Sequence, residues 1–448
     1  MPLFNHLYGC ASNFVIDAAS EDVATKITLG TSALFGSVAN TLSGGAIRDV
    51  TVENLVIQTG SDCTVGFIAG RMVDGAAIER CLVAASCTFR QTRTAGAGGI
   101  VGAIDRTVEF TPTDGEGNPV TGETLALVAD CTNRAPVVVF LASPLTSGGI
   151  VGKADVHNAT YQPAMKILRC ANEADFTATV NNGYAVKFGG IIGERSINET
   201  SVHGGVLWIV DCANLGNICS PSESGCNLGG IVGYLYRGCE TVMAGCVNRG
   251  DIGTAVAGDG TTPVTGNSVG GLIGFLDSLY NNNSVTATNC ANYGAVTGGK
   301  YAGGLLGGFN ATQGHPSTIL MFYNCANYGT LSAPAEGGLT GEIFARFETN
   351  VADSPARQYG AVNSFFMTKN FYADNSGSAI ITNGLVTAVD EKYSPSGARK
   401  TLNAAVQEND WEPWVLGRIG EGNAAFVAPE LACFMTKLAN PGFTVIIR

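Results

Sequence analysis

Apolar residues along this chain arrive in bursts of four to six, rich in β-branched types and bounded by glycine. Gly205-Val206-Leu207-Trp208-Ile209-Val210 and Gly230-Ile231-Val232-Gly233-Tyr234-Leu235 are typical. Bursts this short predict strands, and the interrupting glycines leave no room for an amphipathic helical stripe. The pattern is also periodic. A block Gly98-Gly99-Ile100-Val101-Gly102 recurs from Gly148, Gly189, Gly229, Gly270, Gly303 and Gly337, at spacings of about 33 to about 50 residues. Decayed copies precede it at Val65 to Gly70 and Ser32 to Gly36.

A second block alternates with the first. It is clearest as Cys290-Ala291-Asn292-Tyr293-Gly294 and Cys325-Ala326-Asn327-Tyr328-Gly329, with copies at Cys212 and Cys246 and weaker ones at Cys170, Cys131 and Cys81. A unit of this length cannot bury its own apolar face, so successive copies must stack. Each supplies a strand from the glycine block, a strand running into the cysteine, as in Ser284 to Cys290, and a short strand after the asparagine, as in Gly294 to Thr297. Coiled in one direction, these place like strand on like strand. The expectation is an all-β parallel β-helix, a β-solenoid, and the preference of parallel crossovers predicts a right-handed coil. Asn172, Asn214, Asn248, Asn292 and Asn327 then fall at a turn, where each amide can bond its own backbone and the asparagine of the next coil.

Composition narrows the picture. The 448 residues include 60 glycines, only 14% are charged, and the net charge is -12. That acidic balance lacks the basic footprint of a nucleic-acid binder. No stretch of about 18 apolar residues predicts a membrane-spanning helix. Met1 to His6 lacks the basic and apolar regions of a secretory leader, and the array begins almost at once. The expectation is a secreted or surface protein from which a leader and an N-terminal cap have been trimmed. Seven of the 14 cysteines share one repeat position, which predicts a column of buried thiols in place of planned bridges. Bridges remain open among the irregular Cys219, Cys226 and Cys239. No Cys-x-x-Cys pair exists, and His6, His157, His203 and His315 sit at unrelated positions, so neither a metal site nor a cofactor is expected.

The array is expected over residues 1–368, and a C-terminal capping segment over 369–448. Within the second, residues 395–407 predict a short helix, and Trp411 and Trp414 can cover an open core or offer a sugar platform. Two insertions break the period, Thr113 to Glu123 and Gly258 to Gly266, and both read as turns projecting from the rod. Loops on a rigid scaffold are natural binding surfaces, which makes Asp114, Glu116, Asn118 and Asp259 candidate contact residues. The first three lack the later glutamate of a helix-flanked calcium loop.

The alternation of Gly-Gly-aliphatic-Val-Gly with Asn-Cys-x-Asn-x-Gly over residues 32 to 345 resembles the GLUG-type repeats of bacterial surface proteins, and Leu402-Asn403, Trp411 and Pro429-Glu430-Leu431 resemble the closing segment of such arrays. The resemblance implies a surface or adhesin-like role and assigns no catalytic residue. The residues themselves offer little chemistry. Gly266-Asn267-Ser268-Val269-Gly270 matches a hydrolase elbow but overlaps a glycine block, and no His-Glu-x-x-His pair occurs. A glycan lyase or hydrolase on a β-helix needs carboxylates from adjacent coils on one face. Asp105, Asp155 and Asp277 share an offset after their glycine blocks, with Glu194 and Arg195 nearby. The sequence therefore predicts a non-catalytic stalk or adhesin that displays loops to a glycan or protein, with a glycan-active β-helix or a phage or secretion fibre as alternatives.

Overall fold

The computed structural model describes residues 10–17, 28–29, 46–59, 64–72, 76–91, 96–106, 125–139, 145–156, 164–178, 186–197, 206–220, 226–236, 240–254, 268–277, 284–310, 319–334, 338–348, 358–362, 364–366, 402–403, 414–419 and 426–431. One coil shows the plan. Glu240–Ala244 and Val247–Asn248 flank Cys246, Ile252–Thr254 follows, and Ser268–Gly270 leads through the Gly-Gly corner into Ile273–Asp277. Stacked, these strands make four parallel sheets. The cysteine sheet has 18 strands, the short sheet nine, and the first and second glycine sheets, on either side of the Gly-Gly corner, eight each. The fold is thus a parallel β-solenoid of eight complete coils among the described residues. Trp414–Ile419 and Phe426–Leu431 pair separately as an antiparallel hairpin. Leu402 and Asn403, the described part of 395–407, are helical.

Strands alternate inward and outward as a pleated surface requires. In Val206–Val210 the inward Leu207 and Ile209 are fully buried, while Val206, Trp208 and Val210 are partly exposed. Inward residues of successive coils merge into one core running from Ile47 to Ala361. Seven free, buried thiols line part of it, one per coil, at Cys81, Cys131, Cys170, Cys212, Cys246, Cys290 and Cys325. Cys226 is also buried, with its Sγ 3.4 Å from Ser220 Oγ, and Cys239 lies outside the described residues.

Through the same core runs an asparagine ladder. Asn133 Nδ2 donates to Asn172 Oδ1 at 3.0 Å, Asn172 to Asn214 at 2.8 Å, Asn214 to Asn248 at 2.8 Å, Asn248 to Asn292 at 2.7 Å and Asn292 to Asn327 at 2.7 Å. The second proton of each amide goes to the carbonyl two residues on, as from Asn248 to Gly250 at 2.9 Å. Every one of these side chains is fully buried, so both donors must be used, and both are. Asn133 completes the series below Asn172, although its block reads Cys-Thr-Asn-Arg-Ala.

The second glycine of each block exists to admit this ladder. A Cβ added at Gly230 would collide with the Gly271 carbonyl and the Asn248 carboxamide, and Gly99, Gly149, Gly190, Gly271 and Gly304 face their own asparagines in the same way. Where the asparagine is missing, so is the glycine. The strand register pairs Asn133 with Val83 and Gly98 with Gly66, which puts Phe67 where the next coil has Gly99. At the other end the register corrects the sequence spacing. Gly303 pairs with Gly341, so the last block starts at Gly341 and not at Gly337, and Glu342 stands at the second-glycine position. There its buried carboxylate accepts the last ladder proton, from Asn327 Nδ2 at 2.5 Å.

The residue before each column cysteine is left-handed. Asp49, at the equivalent position one coil earlier, and Arg80, Asp130, Arg169, Asp211, Asn289 and Asn324 have φ between 50° and 56°, and Gly245 has 62°. Asn, Asp and Gly tolerate this region; arginine does so at a cost. The two arginines are held by neighbours in the column. Arg80 makes bonds of 2.6 and 2.8 Å to Asp49, and Arg169 two of 2.7 Å to Asp130.

Two predictions follow from these columns. Asn248→Ala should cost about 2 to 4 kcal/mol in urea denaturation, because it strands amide groups of Asn214 and Asn292 in a dry core, and Gly230→Ala should cost at least as much. The Arg80 hydrogen bond lowers the Asp49 pKa below its ordinary 3.8. This contribution is present above 3.8 and lost as pH falls through the depressed value. The stability gap between the parent and Arg80→Gln, measured by denaturation, should therefore be present at neutral pH and close under strong acid.

Candidate functional site

Ionisable and aromatic side chains concentrate where the outward columns of the two glycine sheets meet. The residue just after each block's last glycine forms one column of the second glycine sheet: Ala103, Lys153, Glu194, Tyr234, Phe275 and Gly308, paired in register. Two residues on, a parallel column carries Asp105, Asp155, Ser196, Tyr236, Asp277 and Asn310. The first glycine sheet contributes Thr146, Lys187, Asn227, Ser268 and Tyr301.

At the centre, Glu194 uses both oxygens. Oε1 accepts Lys187 Nζ at 2.6 Å and Oε2 accepts Thr146 Oγ1 at 3.0 Å, with the carboxylate side chain only 7% exposed. Lys187 also lies 4.1 Å over the Tyr234 ring, a cation-π contact. Tyr234 donates its hydroxyl to Asp277 Oδ2 at 2.9 Å, and burial, then the Asp277 charge, push its phenol well above the ordinary tyrosine range. The Tyr234 ring stacks at 5.9 Å on Phe275 and at 5.8 Å on Tyr236. Stacking and the ammonium thus engage the faces of the Tyr234 ring within the patch itself. A second stack follows the same rule on the cysteine side, with Tyr293 and Tyr328 at 5.3 Å and Arg249 over Tyr293.

The carboxylates singled out from the sequence are partly brought together. Asp105 and Asp155 are register partners on neighbouring strands, about 5 Å apart between backbones. Asp277 lies three strands beyond Asp155. Glu194 and Asp277 are two strands apart, about 10 Å along the rod, and each already has a partner. Glu194 and Arg195 do not act from one face. Arg195 points inward, is fully buried and sets Nη1 3.5 Å from the Met165 sulfur, because adjacent residues of a strand face opposite ways. Ser268 opens a strand that runs through a glycine corner into another strand, and it is 1% exposed, so it occupies no strand-to-helix elbow.

Of the loop and cap candidates, Asp114, Glu116, Asn118, Asp259 and Trp411 lie outside the described residues. Trp414 begins the first strand of the hairpin, opposite Leu431. Lys187, Tyr234, Tyr236, Phe275 and Thr146 were missed by sequence reasoning. Their signal was available, since aligning the glycine blocks exposes the column two residues before the first glycine, with Thr146 and Lys187, and those one and three residues after the last, with Tyr234, Phe275 and Tyr236.

Fold and site together define a parallel β-solenoid repeat protein in whose patch Lys187, Glu194, Tyr234 and Asp277 are bonded to one another or to neighbours in the same or the next coil. Comparison with protein-family models, with curated proteins and with solved structures gives no match. Among the described residues no helix is long and apolar enough to cross a membrane.

Burial holds the phenols of Tyr293 and Tyr328 up as it does that of Tyr234. Absorbance titration at 295 nm should show these three tyrosines ionising only when alkali unfolds the rod. Tyr234→Phe should remove one of them.

Proposed function

We propose that the chain is a non-catalytic display rod of a secreted or cell-surface protein, which holds its inter-strand connections out toward a glycan or protein partner. The observation that carries this is where the long connections leave. Residues 107–124, 157–163, 198–205, 278–283 and 311–318 all join the second glycine sheet to the cysteine sheet, whereas 140–144, 179–185, 221–225 and 255–267 all join the short sheet to the first glycine sheet. The long connections fall at these two corners, whereas the Gly-Gly corner keeps two residues in every coil and the turn from the cysteine sheet to the short sheet keeps two to four. That is the economy expected of a scaffold with displayed segments. Asp114, Glu116 and Asn118 belong to one corner and Asp259 to the other. The resemblance of the repeat to GLUG-type surface repeats agrees with this role. Buried Leu402, 1% exposed, supports a capping role for residues 369–448.

Binding of the full chain to a glycan and mucin array, re-read for released sugar, tests the proposal. Binding without release, lost on replacing residues 113–123 or 258–266 by short glycine-serine links, is the expected outcome. The in-register Asp105 and Asp155 favour a second role, as a glycan-active β-helix. Sugar release that disappears in Asp105→Asn or Asp155→Asn would establish that role and overturn the first.

A further inference from the structure

The outward face of the cysteine sheet is apolar where the strands Leu125–Ala129, Ala164–Leu168, Val206–Val210 and Glu240–Ala244 lie side by side. Leu127, Leu168, Val206, Trp208, Val210 and Val242 point outward there and are partly exposed. Polar groups frame them. The Arg48 and Glu79 ion pair lies on the strands that precede this face, Ser284, Thr286 and Thr288 on the strand that follows it, and the Arg169 and Asp130 pair along the corner next to Leu168. An apolar centre inside a polar rim is the anatomy of a protein interface, and a tryptophan near its middle is a common anchor.

We propose that this face joins two copies of the chain, face to face about a two-fold axis. Charge selects a second copy as the occupant. The described outward charges on these four strands are Lys166 and the exposed Glu240. Strand register puts Lys166 beside Trp208 and Glu240 beside Val206, on opposite sides of Val206–Val210. The two charges therefore stand two strands apart, about 10 Å along the rod. A two-fold axis lying in the interface midway between them sets Lys166 against Glu240 of the second copy and, by symmetry, Glu240 against Lys166 of the second copy. The patch carries its own electrostatic complement, which is the requirement of an isologous contact.

The same axis runs beside Trp208, so the two indoles meet at the centre of the contact. Lys166 is held on this face by the indole of its own chain, with Nζ 4.9 Å from the ring centroid. Size sets the strength. Four strands make a face about 19 Å across, which keeps the pair below about 1,200 Å² of total buried surface, at the weak end of specific interfaces. The dimer is therefore reversible and follows protein concentration. It does not depend on the display function proposed above.

Sedimentation equilibrium of the full chain, from micromolar to near-millimolar concentration, tests the proposal. A reversible equilibrium between monomer and dimer is expected. Trp208→Glu should abolish the dimer. Lys166→Glu, which by symmetry sets two like-charged pairs face to face, should weaken it about tenfold or more. Adding Glu240→Lys to Lys166→Glu exchanges both charges and should restore it, an outcome that a general loss of stability would not give. If Trp208→Glu fails to fold, the charge exchange still decides. A chain that stays monomeric at every concentration, its apolar face left to one of its own segments or to a different protein, would overturn the proposal. So would a dimer that Trp208→Glu and Lys166→Glu leave unchanged, or a loss in Lys166→Glu that Glu240→Lys does not restore.

Discussion

Everything in this molecule depends on keeping successive coils in register, and the interaction that enforces it is the meeting of a buried asparagine with a glycine across the core. An asparagine amide has two protons and a carbonyl. In a dry interior all of them must be satisfied, and here they are satisfied only when the next coil presents its own asparagine at the same height. A slip by one residue would turn the amide outward and the glycine corner into a collision. The exceptions obey the same rule. Val83 accompanies Phe67, and Glu342 accepts from Asn327, so the ladder starts and stops where the glycine does.

The same periodicity governs the surface. Because neighbours in a column are a coil apart, side chains at equivalent positions find each other before they find solvent. Arg80 pairs with Asp49, Arg169 with Asp130, Arg134 with Glu173, and Tyr293 stacks on Tyr328. Exposed pairs of this kind contribute little individually. Their effect is to commit polar groups along the rod axis and leave fewer of them aimed outward.

Much of the plan was legible in the residues. The spacing of glycine and cysteine blocks indicated a solenoid, a thiol column and a structural asparagine ladder, and the structure has all three. The spacing was less informative at the last coil, where Gly337 imitates a block start that the strand register assigns to Gly341. Local motif cannot distinguish the two, since the decision belongs to the pairing with Gly303. Arg195 was similarly opaque. An arginine in a strand reads as outward, and its buried place follows from the phase of a strand that already turns Glu194 out.

The sequence by itself determined the repeat, the strand content and the coil-to-coil equivalence, because a stack of short units makes composition at each position a nearly one-dimensional code. Only the tertiary structure decided which outward residues meet across the two glycine sheets. Lys187 and Glu194 lie in different strands joined by a tight corner, and Tyr234 and Asp277 come from successive coils. The physical reason is that contacts along a column repeat with the sequence period, whereas contacts across a corner depend on the angle at which two strands leave it, which the three glycines of a full block permit without specifying.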